Sequence, residues 1–178
     1  SIAIYAKTGY IMHSEDRTHD WFGGCPQSGF LSPYDTYKQT RGKEVIKFAV
    51  WRDPVERLVS CYKYFCLEKW YRHYFHFLDL YREPTFDHFM MFVRFELDKK
   101  CIILQDEHIR RQSDFYSPDD VDFIVPIKKL DTFLQKYNVP IQYGLKNSTH
   151  VDFKLDNEEY INEIRELYRA DYEILNST

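Results

Sequence analysis

The stretch Phe48-Ala49-Val50-Trp51 runs without a polar residue straight into Arg52-Asp53-Pro54, and no other feature of the chain restricts its fold as much. An unbroken apolar run rich in β-branched and aromatic residues predicts a strand covered on both faces, here a central parallel strand within Glu44–Trp51. Asp53-Pro54 then predicts a helix start. An Asp side chain caps first-turn N–H groups, and a Pro at the first helical position lacks an N–H that would have had no partner there. Val55, Leu58, Val59, Tyr62, Phe65 and Cys66 follow at helical spacing, so strand, tight turn and helix succeed one another without a gap.

The rest of the chain repeats that alternation. Ser1–Tyr10 reads as a short helix and Ile11–Lys43, with Gly23-Gly24, Cys25-Pro26 and Ser32-Pro33, as a long irregular excursion. Glu68–Lys100 reads as helical with a break at Pro84, burying Phe86, Phe89, Met90, Phe92 and Val93. Val121–Ile127 is a second short strand whose Pro126 marks an edge or a strand end. Lys128–Tyr137 is a short helix carrying Leu130, Phe133 and Leu134. Asp156–Leu175 reads as one long amphipathic helix, with Asp156 and Glu159 at capping-box spacing. Strands alternating with helices predict an α/β sandwich, and with no repeat or Gly/Ser/Pro-rich linker to divide it the chain is expected to form one domain over 1–178.

Composition narrows the function classes. A chain of 178 residues that is 44% hydrophobic can bury a genuine core. Its formal charge of −4 supplies no general positive field for nucleic acid, so any anion site has to be local. Cys25, Cys61, Cys66 and Cys101 form no CxxC pair, which argues against a structural zinc and against a disulfide scaffold. No apolar run approaches the ~20 residues of a membrane span, and the N-terminus lacks a signal-peptide layout. The expectation is a soluble, cytoplasmic protein with neither a nucleic-acid nor a membrane partner; its oligomeric state is not legible.

Arg52, at the end of the expected strand, would lie beside free N–H groups and the positive end of the helix dipole, an arrangement that suits a phosphate. Ser60, about two turns along, would add a hydroxyl donor, and Arg57 would brace Asp53 or point into the cleft. A plain structural alternative, an Arg52–Asp53 capping pair with Ser60 an ordinary helix residue, fits the bare pattern equally well.

The segment Arg52–Tyr62, RDPVERLVSCY, resembles the 3′-phosphate-binding motif of sulfotransferases that use 3′-phosphoadenosine-5′-phosphosulfate. Asp106–Gln112 followed by Asp122-Phe123-Ile124-Val125 resembles the carbohydrate-sulfotransferase branch, as do Lys146–Thr149 and Leu167–Tyr172. The resemblance implies a three-layer sandwich around a central parallel sheet, a P-loop NTPase-like fold, and sulfuryl transfer without a metal to a hydroxyl acceptor, a sugar or glycan. It assigns the 3′-phosphate to Arg52 and Ser60, and a closing segment over the nucleotide to Lys146 and Ser148, for which a simple polar turn is the rival reading. The family's 5′-phosphosulfate loop fits best with Ser1 as its last residue and the strand and Lys upstream; the competing fit is a degenerate loop at Ala6-Lys7-Thr8-Gly9. His19 is the first candidate for the base and His108 the second, a structural or acceptor-binding histidine being the alternative for His108. Arg110 and Arg111 would receive an anionic acceptor. The rival function is a catalytically silent nucleotide- or glycan-binding domain that kept the 3′-phosphate site and lost the donor loop.

Overall fold

The computed structural model describes residues 46–68, 81, 83–137 and 151–176, which fall into two compact units. The helix expected over Ser1–Tyr10, the irregular Ile11–Lys43 region and the Lys146–Thr149 segment lie outside the described residues.

The first unit comprises 46–51 and 116–137. Strand β1 (Phe48–Trp51) pairs in parallel with β2 (Phe123–Pro126), Phe48 opposite Phe123 and Trp51 opposite Pro126. Pro126 is the last residue of its strand, as expected of a residue with no N–H to give to the ladder. The strand entrances are tied by a reciprocal contact, Asp122 N–H donating to the Lys47 carbonyl (2.8 Å) and Lys47 N–H to Asp122 Oδ2 (2.7 Å). A 3₁₀ turn over Ile127–Lys129 leads into α3 (Leu130–Lys136), which follows two helices of the second unit in chain order. Leu134 of α3 is buried with Phe48 and Val125, and Val50, Leu130 and Phe133 pack against them. The ring of Phe133 lies 4.9 Å from that of Phe48 and 5.4 Å from that of Phe123.

The second unit holds the larger core. Helix α1 (Pro54–Tyr62) runs on into a π-helical turn over Lys63–Leu67. Helix α2 (Phe86–Leu97) starts at Thr85, whose hydroxyl accepts from His88 N–H while His88 Nδ1 takes the Thr85 N–H, a capping box with histidine in the third position. Leu58, Tyr62, Phe65, Phe89, Met90, Val93, Ile109, Ile164 and Tyr168 form the centre of the core. Tyr62 joins α1 to α2 and to the segment around Phe153: its ring lies 4.8 Å from Phe153, 5.1 Å from Phe86 and 5.6 Å from Phe89, and its buried hydroxyl donates to the Pro84 carbonyl. The buried Glu96 accepts from Lys99 Nζ (2.6 Å) and Asp106 N–H (2.7 Å), which ties the loop after α2 to the helix.

At the C-terminal end the chain departs from the single long helix expected. It forms α4 (Glu158–Leu167) and α5 (Arg169–Asn176), interrupted at Tyr168. The N-cap of α4 is Asn157, not Asp156; its side chain accepts from Glu159 N–H (2.8 Å) and Tyr160 N–H (3.4 Å). The interruption has a tertiary cause. Tyr168 is fully buried with its hydroxyl donating to the Ile109 carbonyl at 2.6 Å, and Arg111 Nε donates to the Leu167 carbonyl at 2.8 Å, a group an uninterrupted helix would use internally. Among the described residues no helix is long and apolar enough to cross a membrane.

Leu58 has no solvent exposure and belongs to the main core. Leu58→Ala is expected to lower unfolding stability by about 2 to 5 kcal/mol, read as a lower denaturant midpoint in urea titration; an unchanged midpoint would contradict this account of the core.

Candidate functional site

The start of α1 is closed by its own side chain. Asp53 Oδ1 accepts from Val55 N–H (2.9 Å) and Glu56 N–H (3.1 Å), the Asp53 carbonyl accepts from Arg57 N–H (2.8 Å), and Pro54 has no N–H to offer. The free first-turn donors expected to cradle a phosphate are therefore already used, and the Asp53 carboxylate offsets the positive end of the helix dipole. An anion held here must be held by side chains. Arg52 and Ser60 are half-buried, and the side chain of neither makes a hydrogen bond or ion pair among the described residues. The Arg52 charge is felt at the Cys61 thiol, one residue beyond Ser60.

The backbone of Arg52 is gripped from outside its own segment. Its N–H donates to Gln112 Oε1 and its carbonyl accepts from Gln112 Nε2, both at 2.8 Å, so one side-chain amide satisfies both main-chain groups. Gln112 is held in turn by Asp171, a carboxylate with no solvent exposure. Asp171 Oδ2 accepts from Gln112 N–H (3.0 Å) and Gln112 Nε2 (3.3 Å), and Oδ1 accepts from Ser113 N–H (2.9 Å). Beside it, the Tyr172 hydroxyl donates to Asp53 Oδ2 at 3.1 Å, so both oxygens of the cap are occupied.

Of the two readings offered for Arg57, bracing Asp53 is not the one found. One guanidinium nitrogen donates to the Arg110 carbonyl at 2.8 Å and stands 3.9 Å from Asp171 Oδ2, while the guanidinium carbon lies 5.3 Å from the centre of the Tyr168 ring. Arg57 thus supplies the counter-charge a buried carboxylate requires. Gln112, Asp171 and Tyr172 lie in segments the sequence reading singled out, yet received no role there. A glutamine or a helical Asp has no visible chemistry until its partner, about sixty residues away in the chain, is known.

His108 sits on an Asx turn: its N–H donates to Asp106 Oδ1 (2.9 Å), and its ring Nδ1 lies 3.1 Å from the same oxygen. The ring meets Phe65 edge-on at 5.3 Å. Arg110 donates to the Gln105 carbonyl (3.0 Å) and covers the Phe115 ring, and Arg111 donates to the last carbonyl of α4. Both arginines thus have structural contacts that the sequence did not suggest. Asp114 holds Oδ2 buried and without a partner among the described residues; burial raises its carboxyl above the usual range, opposed by Arg111 and reinforced by Asp171. Ser1, His19, Lys146 and Ser148 lie outside the described residues.

Residues 11–142, well over half of the chain, match the model of the Sulfotransferase family. The chain belongs to the sulfotransferase family. No curated protein and no solved structure matches it. The matched part of this sulfotransferase contains Arg52, Ser60, His108 and Gln112 and ends before α4 and α5, so Asp171 and Tyr172 fall beyond it.

Besides Asp114, thiol and phenol groups of this sulfotransferase are shifted upward. Burial pushes the Cys61 thiol from 9.0 to about 11, and it raises the Tyr168 and Tyr172 hydroxyls above 10.0, Tyr172 being raised further by the Asp53 carboxylate it bonds. An acid whose folded-state pKa exceeds its unfolded value holds its proton longer when folded, so its stabilising contribution is complete below the unfolded value and lost as pH rises. These contributions are therefore expected to be lost as pH rises above about 9, with a shallower fall in stability for Tyr172→Phe; thermal unfolding measured across that range checks both.

Proposed function

We propose that this sulfotransferase takes its sulfuryl group from 3′-phosphoadenosine-5′-phosphosulfate and passes it to a hydroxyl of a sugar or glycan, with Arg52 and Ser60 holding the 3′-phosphate. The observation that carries the reading is that Arg52, just before α1, and Ser60, within it, are half-buried with side chains that have no hydrogen-bond or ion-pair partner among the described residues, while the first-turn N–H groups of that helix are all occupied. A guanidinium presents a planar fork that binds two phosphate oxygens, and a hydroxyl adds a third donor, a set suited to a phosphomonoester dianion in a chain with no general positive charge. Family membership supports the same reading.

The bound donor supplies an activated sulfuryl group on a phosphate leaving group. Around it the chain has to align the acceptor in line and remove the hydroxyl proton. His19 and His108 are the proposed bases. With its Nδ1–H donated to Asp106, His108 would carry its lone pair on Nε2, the tautomer a base requires. Ser1 at the 5′ side, Lys146 and Ser148 over the nucleotide, and Arg110 and Arg111 toward an anionic acceptor complete the proposed site. The proposed architecture is the three-layer, P-loop-like sandwich, in which the β1–β2 pair would be part of a larger parallel sheet.

Arg52→Ala is expected to weaken binding of 3′-phosphoadenosine-5′-phosphate by about tenfold or more in calorimetric titration, with the far-ultraviolet circular dichroism unchanged. Equal affinity in the variant would overturn the assignment. Transfer of radiolabelled sulfate from the donor to a glycan acceptor by the unaltered chain separates an enzyme from a domain that only binds.

A further inference from the structure

We infer that Gln112, Asp171 and Tyr172 are positioning residues for the 3′-phosphate site: they touch no nucleotide, and they set the direction in which Arg52 is presented. The inference rests on the assignment of Arg52 to the 3′-phosphate.

Arg52 occupies a position with little local constraint. The β1 ladder ends at Trp51 and α1 begins at Pro54, so neither repeating hydrogen-bond pattern fixes the two peptide planes that flank the Arg52 Cα. Those planes decide where the Cα–Cβ bond points, and a long side chain amplifies any error at its guanidinium. The Gln112 amide bonds the N–H and the carbonyl of Arg52 together, which fixes both planes at once. A lone amide side chain would be a soft clamp, since its own torsions are free. Asp171 removes that freedom by taking both the main-chain N–H and the Nε2–H of Gln112 on one oxygen, with the Ser113 N–H on the other.

The second grip is on the next residue. Tyr172 bonds Asp53 Oδ2 while Asp53 Oδ1 caps α1, so the cap cannot rotate without breaking a bond on one side or the other. Asp171 and Tyr172 are adjacent on α5, and Arg57, one turn into α1, stands 3.9 Å from the same Asp171 oxygen that holds Gln112. Arg52, Asp53 and Arg57 are thus each connected to α5, directly or through Gln112. A residue buried for packing alone would not need its polar atoms paired with the main chain of the anion-binding residue, and Gln112 uses both ends of its amide for that purpose.

The test titrates the chain with 3′-phosphoadenosine-5′-phosphate and, separately, with adenosine 5′-monophosphate, which lacks the 3′-phosphate. The proteins compared are the unaltered chain, Gln112→Leu, Tyr172→Phe, Arg52→Ala and the double variant Arg52→Ala/Gln112→Leu. Gln112→Leu is expected to lose about tenfold and Tyr172→Phe about threefold in affinity for the bisphosphate, with less than about twofold change for the monophosphate. The double variant is expected to bind the bisphosphate no more weakly than Arg52→Ala alone, because a positioning residue has nothing left to position. Equal losses on both nucleotides, no loss, or a further loss in the double variant would overturn the inference. Tyr172→Phe removes one hydroxyl and no volume, so it keeps the test decisive where Gln112→Leu does not fold. If the unaltered chain shows no preference for the bisphosphate, or Arg52→Ala retains that preference, the 3′-phosphate assignment falls and the inference with it. If Arg52→Ala loses the preference while both positioning variants keep it, the inference alone falls.

Discussion

Asp171 carries a full carboxylate into a position with no solvent exposure, and the arrangement of the second unit follows from what that carboxylate must find there. Its two oxygens accept three N–H bonds from Gln112 and Ser113 and face the Arg57 guanidinium. A buried carboxylate missing any large part of that set would be strongly destabilising. The set draws on α1, on the turn around Gln112 and on α5, so satisfying one group brings three distant stretches of chain into a single arrangement. The break at Tyr168 belongs to the same arrangement. It separates α4 from α5, buries the Tyr168 ring under Arg57 and leaves the Leu167 carbonyl to Arg111.

This construction changes how an anion can be bound at α1. Helix N-termini bind phosphate when their N–H groups are free, and here Asp53 uses them. The helix start is thereby satisfied without a ligand, and in the proposed site the recognition of charge falls to Arg52 and Ser60. A site made of side chains depends on how accurately its backbone is held. That gives physical weight to the amide pairing between Gln112 and Arg52.

Much of the local structure was legible in the sequence. The apolar run became β1, Asp53 and Pro54 took the cap and first helical positions, and Leu58, Tyr62, Phe65, Phe89 and Val93 are buried as their spacing indicated. Two readings of the C-terminal helix failed. Asn157 displaced Asp156 as the cap of α4, because either residue can cap and only the direction of the incoming chain selects one. The last helix divided because Tyr168 has a buried partner in Ile109, fifty-nine residues away, that helical periodicity cannot reveal. In the candidate site, Arg52 and Ser60 stood out by motif, while Gln112, Asp171 and Tyr172 did not, since their function lies in contacts and not in residue type.

By itself the sequence determined the strand–turn–helix order at Phe48–Tyr62, which faces these elements bury and which side chains could meet a phosphate. Those properties depend on neighbours within a few residues, through periodicity, capping and the missing N–H of proline. Only the tertiary structure decided the parallel pairing of Phe48–Trp51 with Phe123–Pro126, the capture of the Arg52 backbone by Gln112 at a separation of 60 residues, and the bond from Tyr172 to Asp53 at a separation of 119. Such pairings are selected by the joint requirement that every buried polar group find a partner, a condition on the folded chain as a whole that no local pattern records.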